Sequence, residues 1–535
     1  MTRMLKYAVA AASLLLYCGI AQAANPVPSI TSLSPPSVYA GGPSFTLTVN
    51  GTGFISSTVI FWSPFDPPLT TTYVSNTQVT ALVPAAYITN PTSDYVYAYN
   101  PPPGGGNSSS VIFYIVSLDP SISSVAPNAV VAGSGATQLT VTGSNFMDGA
   151  SVLWNNKKLP TTYTNPGQLQ AQLTASQVAK PEIVQVSVSN PAPGGLSSAL
   201  NFNVSYPALV RMLNIPANDL VWDPKAQRIY ASLPSSFGTN GNSIAVIDPT
   251  SGKITGYYFV GSEPNQLALS ADSSYLYVGL NGNGSVQRMI LPNFTLDINV
   301  SLGSSEYGGL NTAGALQVSP GDSHTFAVAL SNGECCGYGG TLEFFTDTTL
   351  LPNSITYPTV SSIQFVNAST LYGYSDSTLI QVAVNSNGGT LTTQWNDTLS
   401  GSSYIAYDAG LIYGNSGEVF NPATGELIGD YDVGGGSYGT SNALLPESAI
   451  NSTLVVGTTP FFDSFGITSY NLTRFTPNAV INLSQFYGES VTPSSFISWG
   501  NNGVTFVVYT GCCGTEYYQT ILVQSSMMQP PAGKN

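Results

Sequence analysis

The chain has 535 residues, 43% of them hydrophobic and only 7% charged, with a formal charge of −15. That length calls for several cores rather than one, and that apolar content excludes a disordered chain. The acidic balance excludes nucleic acid and anionic membrane as partners. The 53 glycines, 37 prolines and 31 tyrosines suit many short strands joined by tight turns.

Residues 1–23 read as a secretory signal. Arg3 and Lys6 precede the apolar run AVAAASLLLYCGI, and AQA at Ala21–Ala23 offers a small-x-small cleavage site. The run is too short for a membrane span, and no other apolar run reaches that length. Cys18 raises a lipoprotein alternative, but Tyr17 stands where a lipobox wants a small residue. The expected location is therefore periplasmic, cell-surface or secreted, with no integral membrane segment once the signal is removed. Loss of Arg3, Lys6 and Cys18 leaves a formal charge of −17 and four cysteines in an oxidising setting.

Next comes an internal repeat. PSITSLSPPSVYAGGPSFTLTVNGTGF (from Pro28) matches PSISSVAPNAVVAGSGATQLTVTGSNF (from Pro120). VYAYNPPPGGGNSSSVIFYIV (from Val96) matches VQVSVSNPAPGGLSSALNFNV (from Val184). The runs FTLTVNG and QLTVTG alternate apolar and polar, as half-buried strands do, and glycine follows where the chain must bend. NPPPGGG and NPAPGG read as hairpin connections. In these motifs both copies resemble IPT/TIG domains, expected at 27–117 and 118–205. The resemblance implies two immunoglobulin-like sandwiches, used in exported bacterial proteins as spacers or binding stalks. DNA-binding relatives depend on basic loops; here the two copies hold only Lys157, Lys158 and Lys180.

Beyond Ser205 the period changes. One strand type recurs at Ile229, Leu276, Phe326, Leu371, Ile412, Leu454 and Phe506, about 46 residues apart, the length of a four-stranded propeller blade. The turns DPTSGK and NPATGE join third and fourth strands. The phrases SADSSYLYV and VIDPTSG resemble YVTN-type surface-layer propellers. A seven-bladed propeller is expected over 206–527, with 528–535 as an unstructured tail. The segment LVRMLNIP, from Leu209, precedes the first blade and is expected to complete the last one, removing a free sheet edge.

Chemistry is sparse. The one histidine, His324, falls in a turn and reads as a surface residue. Asp223, Asp248 and Asp272 occupy turn positions, where bonding to nearby backbone explains them. Glu343, Asp376, Asp408 and Glu418 leave open a pair of carboxylates across the channel. DYDVGGG, from Asp430, lacks the spaced ligands of a calcium loop, and no nucleophile elbow, phosphate loop or dinucleotide fingerprint occurs. No catalytic residue, metal or cofactor is assigned.

The four remaining cysteines form two Cys-Cys-Gly stretches, Cys335–Cys336 and Cys512–Cys513, at equivalent places in blades three and seven. Three connectivities are open: two join the loops and one joins neighbours. Adjacent Cα atoms lie only ~3.8 Å apart, so a vicinal disulfide gives a strained, rigid ring. A bridge between loops would have to cross the channel mouth. Either the ring simply locks a small loop, or it forms an apolar platform beside Tyr338, Tyr517 and Tyr518, flanked by Glu334 and Glu516. The expected fold is all-β: two immunoglobulin-like sandwiches, then a seven-bladed propeller. The expected function is non-catalytic binding of a glycan, a cell-wall component or another protein. The alternatives are a polysaccharide lyase or hydrolase, and a structural surface-layer or matrix component.

Overall fold

The computed structural model describes residues 23–63, 67–116, 119–191, 194–305, 309–331, 340–433, 443–459, 464–486, 491–510 and 517–530. Two compact units divide the chain: the first holds the whole of the first sandwich, the second all of Asn201–Asn535, and the strands of the second sandwich are shared between them.

The first sandwich has two antiparallel-dominated sheets. One orders Ser29–Ser34, Phe45–Thr52, Gln78–Val83 and Thr70–Ser75; the other orders Ser37–Tyr39, Val111–Val116, Thr92–Asn100 and Val59–Trp62. Period-two alternation turns Leu47, Val49, Val79, Val96 and Phe113 inward around Trp62, all essentially buried. The second sandwich repeats both sheets, with Ser121–Ala126, Thr137–Ser144, Gln168–Leu173 and Thr161–Asn165 in one. Gly51 and Gly143 show why glycine recurs. A side chain there would run into the carbonyl of Ser29 or Ser121 on the neighbouring strand, and into the ring of Phe54 or Phe146. The repeated Asn-Pro is an anchor as well as a turn. Asn100 donates to the carbonyls of Pro26 and Gly53, both at 2.8 Å, and accepts from Thr58 at 2.6 Å. Asn190 donates to Asn145 at 2.7 Å and accepts from the Met147 amide.

Among the described residues, the second unit contains seven antiparallel sheets in chain order, six of four strands and the third of five, where both Thr349–Leu350 and Ile355–Val360 pair with Gly340–Thr346. Their first strands are Leu220–Asp223, Pro264–Leu269, Thr312–Val318, Ser362–Asn367, Ile405–Asp408, Ala443–Glu447 and Val491–Trp499. Each first strand touches the next, and the seventh touches the first, so the sheets close in a propeller-like ring. The recurring residues Ile229, Leu276, Phe326, Leu371, Ile412, Leu454 and Phe506 all lie on second strands and are buried. Packing between neighbouring sheets makes the core; Leu276 and Val278 of the second sheet, for example, cluster with Tyr230 and Ile244 of the first.

Two devices close the ring. Leu209–Leu213 pairs antiparallel with Tyr517–Gln524, so the start of the unit supplies the fourth strand of the seventh sheet. Asp219 then spans three sheets. Its carboxylate accepts from Ser495 Oγ of the seventh sheet at 2.7 Å, the Leu220 amide of the first at 2.8 Å, and the Leu267 amide of the second at 2.9 Å. Burial pushes this carboxyl above its ordinary value, against the three hydrogen bonds.

Candidate functional site

The strand Ser285–Ile290, sequence SVQRMI, buries a cation: Arg288 is 5% exposed. A buried guanidinium needs counter-charge and acceptors for its donors, and two sheets supply them. Across the hairpin, Asp297 Oδ2 lies 2.7 Å from Nε and 2.6 Å from Nη2. From the third sheet, Asp347 Oδ1 lies 2.6 Å from Nη1. The Tyr277 hydroxyl accepts from Nη1 at 3.1 Å and donates to the Ser323 carbonyl at 2.8 Å. The Tyr275 ring lies under the guanidinium, 4.4 Å from its carbon.

His324 joins through the same carboxylate, its Nδ1 2.7 Å from Asp347 Oδ1. Nδ1 must carry the proton to make that bond. The 3.2 Å approach of Arg288 Nη1 to Nδ1 is then two donors meeting at one shared oxygen. His324 does sit in a turn, as its sequence context suggests, but it is a member of this network and not a bare surface residue. The His324 bond, with help from Arg288 and against burial, holds the Asp347 carboxyl below the usual carboxylate range. Burial alone would lower Arg288, but its bonds to Tyr277, Asp347 and Asp297 raise it above its ordinary value. Burial pushes the Tyr277 hydroxyl up to about 12, against the pull of Arg288.

Asp347 also borders a cleft of about 850 Å³ between the third and fourth sheets. Leu351, Ala368 and Val384 provide apolar surface; Ser319, Thr325, Thr346, Thr348, Thr349, Asn385 and Ser386 supply hydroxyls and an amide. Asp322, on the same wall, accepts from the His324 amide at 3.0 Å and from Thr325 Oγ1 at 2.7 Å. Gly321 faces Ala368 so closely that an added side chain would collide with the alanine methyl.

The cleft is built from turns joining first to second and third to fourth strands. The two Cys-Cys-Gly segments instead connect second to third strands, Thr325–Ser331 to Gly340–Thr346 and Gly503–Thr510 to Tyr517–Gln524, at the opposite end of their sheets. Glu334, Cys335, Cys336, Tyr338, Cys512, Cys513 and Glu516 lie outside the described residues. Tyr517 opens a strand, and Tyr518 beside it is exposed, its ring 4.9 Å from that of Tyr509.

The turn carboxylates are engaged by their own turns. Asp223 accepts from the Lys225 and Ala226 amides and from Tyr230 OH at 2.7 Å. Asp248 accepts from the Thr250 amide and Ser251 Oγ; Asp272 from Ser270, Ser274 and the Ser274 amide. Carboxylates on the described first strands stand only at strand ends, as Asp223, Asp408 and Glu447. Asp408 accepts from the Ser448 amide and hydroxyl. Glu447, beside a smaller cleft of about 190 Å³, is pushed up by burial and by the Asp408 charge, while Ser498 opposes.

Residues 28–113 and 120–204 each match the IPT/TIG domain family. The chain carries two IPT/TIG domains. Their match ends before the propeller-like ring, and no curated protein matches the chain in sequence. Among solved structures, the β-propeller domain of Cps50 (Swd1) from Myceliophteria thermophila is similar over 59% of this chain and 99% of its own, at 8% identity and a TM-score of 0.42. Hydrazine synthase from Kuenenia stuttgartiensis gives 13% identity and a TM-score of 0.31 over 56% of this chain and 78% of its own. The dihydro-heme d1 dehydrogenase NirN gives 11% and 0.39 over 65% and 72%. Strand order and ring contacts, not these similarities, carry the propeller-like description.

Proposed function

We propose that the protein is exported and non-catalytic, and that a seven-bladed, YVTN-like propeller behind two IPT/TIG domains binds an uncharged glycan. The supporting observation is the cleft beside Asp347. Hydroxyls and an amide surround an apolar patch, the mixture that meets a sugar's hydroxyl rim and C–H face. Its two carboxylates, Asp322 and Asp347, are occupied by hydrogen bonds within the fold and serve as acceptors, not as acid and base. A glycan array read with wild type and with Thr348→Trp/Ser386→Trp, which fills the cleft, tests this. Retention of a neutral glycan by wild type, with loss of at least tenfold in the variant, is expected; equal binding by both contradicts it.

A second reading, hydrolysis or elimination on a polysaccharide, is favoured by one observation. Glu447 is a carboxyl shifted upward chiefly by burial, beside Asp408 and a cleft, the condition for a general acid. Release of reducing ends or unsaturated products by wild type, absent in Glu447→Gln, would establish it in place of simple binding.

A further inference from the structure

The two IPT/TIG domains are one fold twice, which makes each a control for the other. Their second sheets superpose in register. Phe61 stands opposite Tyr97 as Leu153 stands opposite Ser187, and Tyr114 opposite Ser37 as Asn203 stands opposite Ala129. Core positions agree, with Trp62 matched by Trp154 and Phe113 by Phe202. The outward positions do not.

In the first domain those registers place an aromatic on each of the four strands Ser37–Tyr39, Val111–Val116, Thr92–Asn100 and Val59–Trp62, each one strand over and two residues along from the last. Tyr39 lies opposite Val116, Tyr114 opposite Ser93, Tyr95 opposite Ile112, and Phe61 opposite Tyr97. Strand spacing and rise make each diagonal step ~8 Å, so Tyr39, Tyr114, Tyr95 and Phe61 form a row ~25 Å long. Tyr39, Tyr114 and Tyr95 are 56%, 55% and 51% exposed. Tyr97 stacks on Phe61 with centroids 5.0 Å apart and closes the row's end. The same diagonal in the second domain reads Val131, Asn203, Gln185 and Leu153, although Asn203 is buried. On that diagonal Val131 and Gln185 are exposed and Asn203 and Leu153 are buried, so the second copy exposes no aromatic where the first exposes three tyrosines, and shared fold alone does not require the row.

We infer that this row is a docking strip for an uncharged, extended polysaccharide. Two properties choose the occupant. The row and its flanking residues Ser93, Ile112 and Val116 include no Asp, Glu, Lys, Arg or His in a chain of −15, so it offers no counter-charge to a charged partner. A strip ~25 Å by ~8 Å covers about 200 Å², against about 800 Å² per partner in a stable protein interface, so neither a second copy nor a globular protein is held by it. A linear chain of sugars can follow the row, its C–H faces on the rings and its hydroxyls within reach of the tyrosine O–H groups. The site is separate from the cleft between the third and fourth sheets and does not rest on it.

The test is co-sedimentation of the full chain with insoluble chitin and with microcrystalline cellulose. Wild type is expected to bind at least one of them. Tyr39→Ala/Tyr95→Ala/Tyr114→Ala, substitutions at exposed positions that leave the thermal midpoint unchanged, is expected to lose at least tenfold in affinity. The corresponding triple Phe variant keeps binding within about threefold, because ring stacking carries the contact. Thr348→Trp/Ser386→Trp leaves it unchanged, which separates this site from the cleft. Three results overturn the inference: no retention of wild type on either polymer, equal retention of the triple Ala variant, or a wild-type dimer in sedimentation equilibrium that the triple Ala variant abolishes.

Discussion

Removing both carboxylates from Arg288 should harm the propeller-like unit more than removing the arginine as well. The Arg288 side chain is 6% exposed, whereas Asp297 and Asp347 are 27% and 48% exposed. Without Arg288 the carboxylates can hydrate; without the carboxylates the cation stays buried, with Tyr277 as an acceptor and Tyr275 beneath it. Stranding one member of a buried pair costs about 3–5 kcal/mol, while replacing all charged members by neutral groups is often near neutral. At about 2 cal/mol/K per residue over roughly 320 residues, 1 kcal/mol corresponds to about 1.5 °C in Tm. Asp297→Asn/Asp347→Asn should therefore lower the unit's transition by about 4–7 °C, and adding Arg288→Met should restore most of it. Differential scanning calorimetry on the full chain resolves this. Asp347→Asn alone adds a pH signature. Its folded carboxyl lies below the ordinary value of 3.8, so its stabilisation is present above that value and is lost as pH falls through the folded pKa. A triple variant as unstable as the double, or more so, would show that the stranded Arg288 charge is not the source of the loss.

Glu447 should behave in the opposite sense. Its folded carboxyl lies above the ordinary 4.5, so ionisation opposes folding, and Glu447→Gln should raise Tm at pH 7 with a gain that vanishes near pH 4; a gain independent of pH would contradict this. Gly321→Ala should cost about 1–3 kcal/mol by overpacking against Ala368, and Ala368→Gly should recover much of it, as measured by thermal unfolding. A chain beginning at residue 218 lacks the closing strand Leu209–Leu213 and exposes the edge of Tyr517–Gln524, so it should aggregate where a chain beginning at 206 stays monodisperse in size-exclusion chromatography. Non-reduced digests should place each cysteine pair within its own peptide, two mass units light; a peptide joining Cys335–Cys336 to Cys512–Cys513 would contradict the vicinal expectation.

The architecture was largely legible because it rests on local signals. Alternation in FTLTVNG, glycine at Gly51 and Gly143, and a strand recurring about every 46 residues from Ile229 all act over short stretches, and repetition multiplies them. LVRMLNIP was legible as a closing strand because an apolar strand with no blade of its own must pair somewhere. The Arg288 network was not. Its members lie 9 to 59 residues apart on two sheets, and only register brings them together. One signal was available: an arginine within the apolar strand SVQRMI must find an anion, and Asp297 waits across the next turn. The aromatic row was half legible, since alternation assigns Tyr95, Tyr97 and Tyr99 to one face, while the diagonal through Tyr39, Tyr114 and Phe61 needs the pairing of four strands.

Binding without turnover at the cleft beside Asp347 is read by isothermal titration of the full chain with the array-selected glycan, followed by chromatography of that glycan after prolonged incubation. A saturable heat that Thr348→Trp/Ser386→Trp abolishes, with the glycan recovered intact, is expected. A cleaved glycan, or a heat that the filled cleft leaves unchanged, would contradict it.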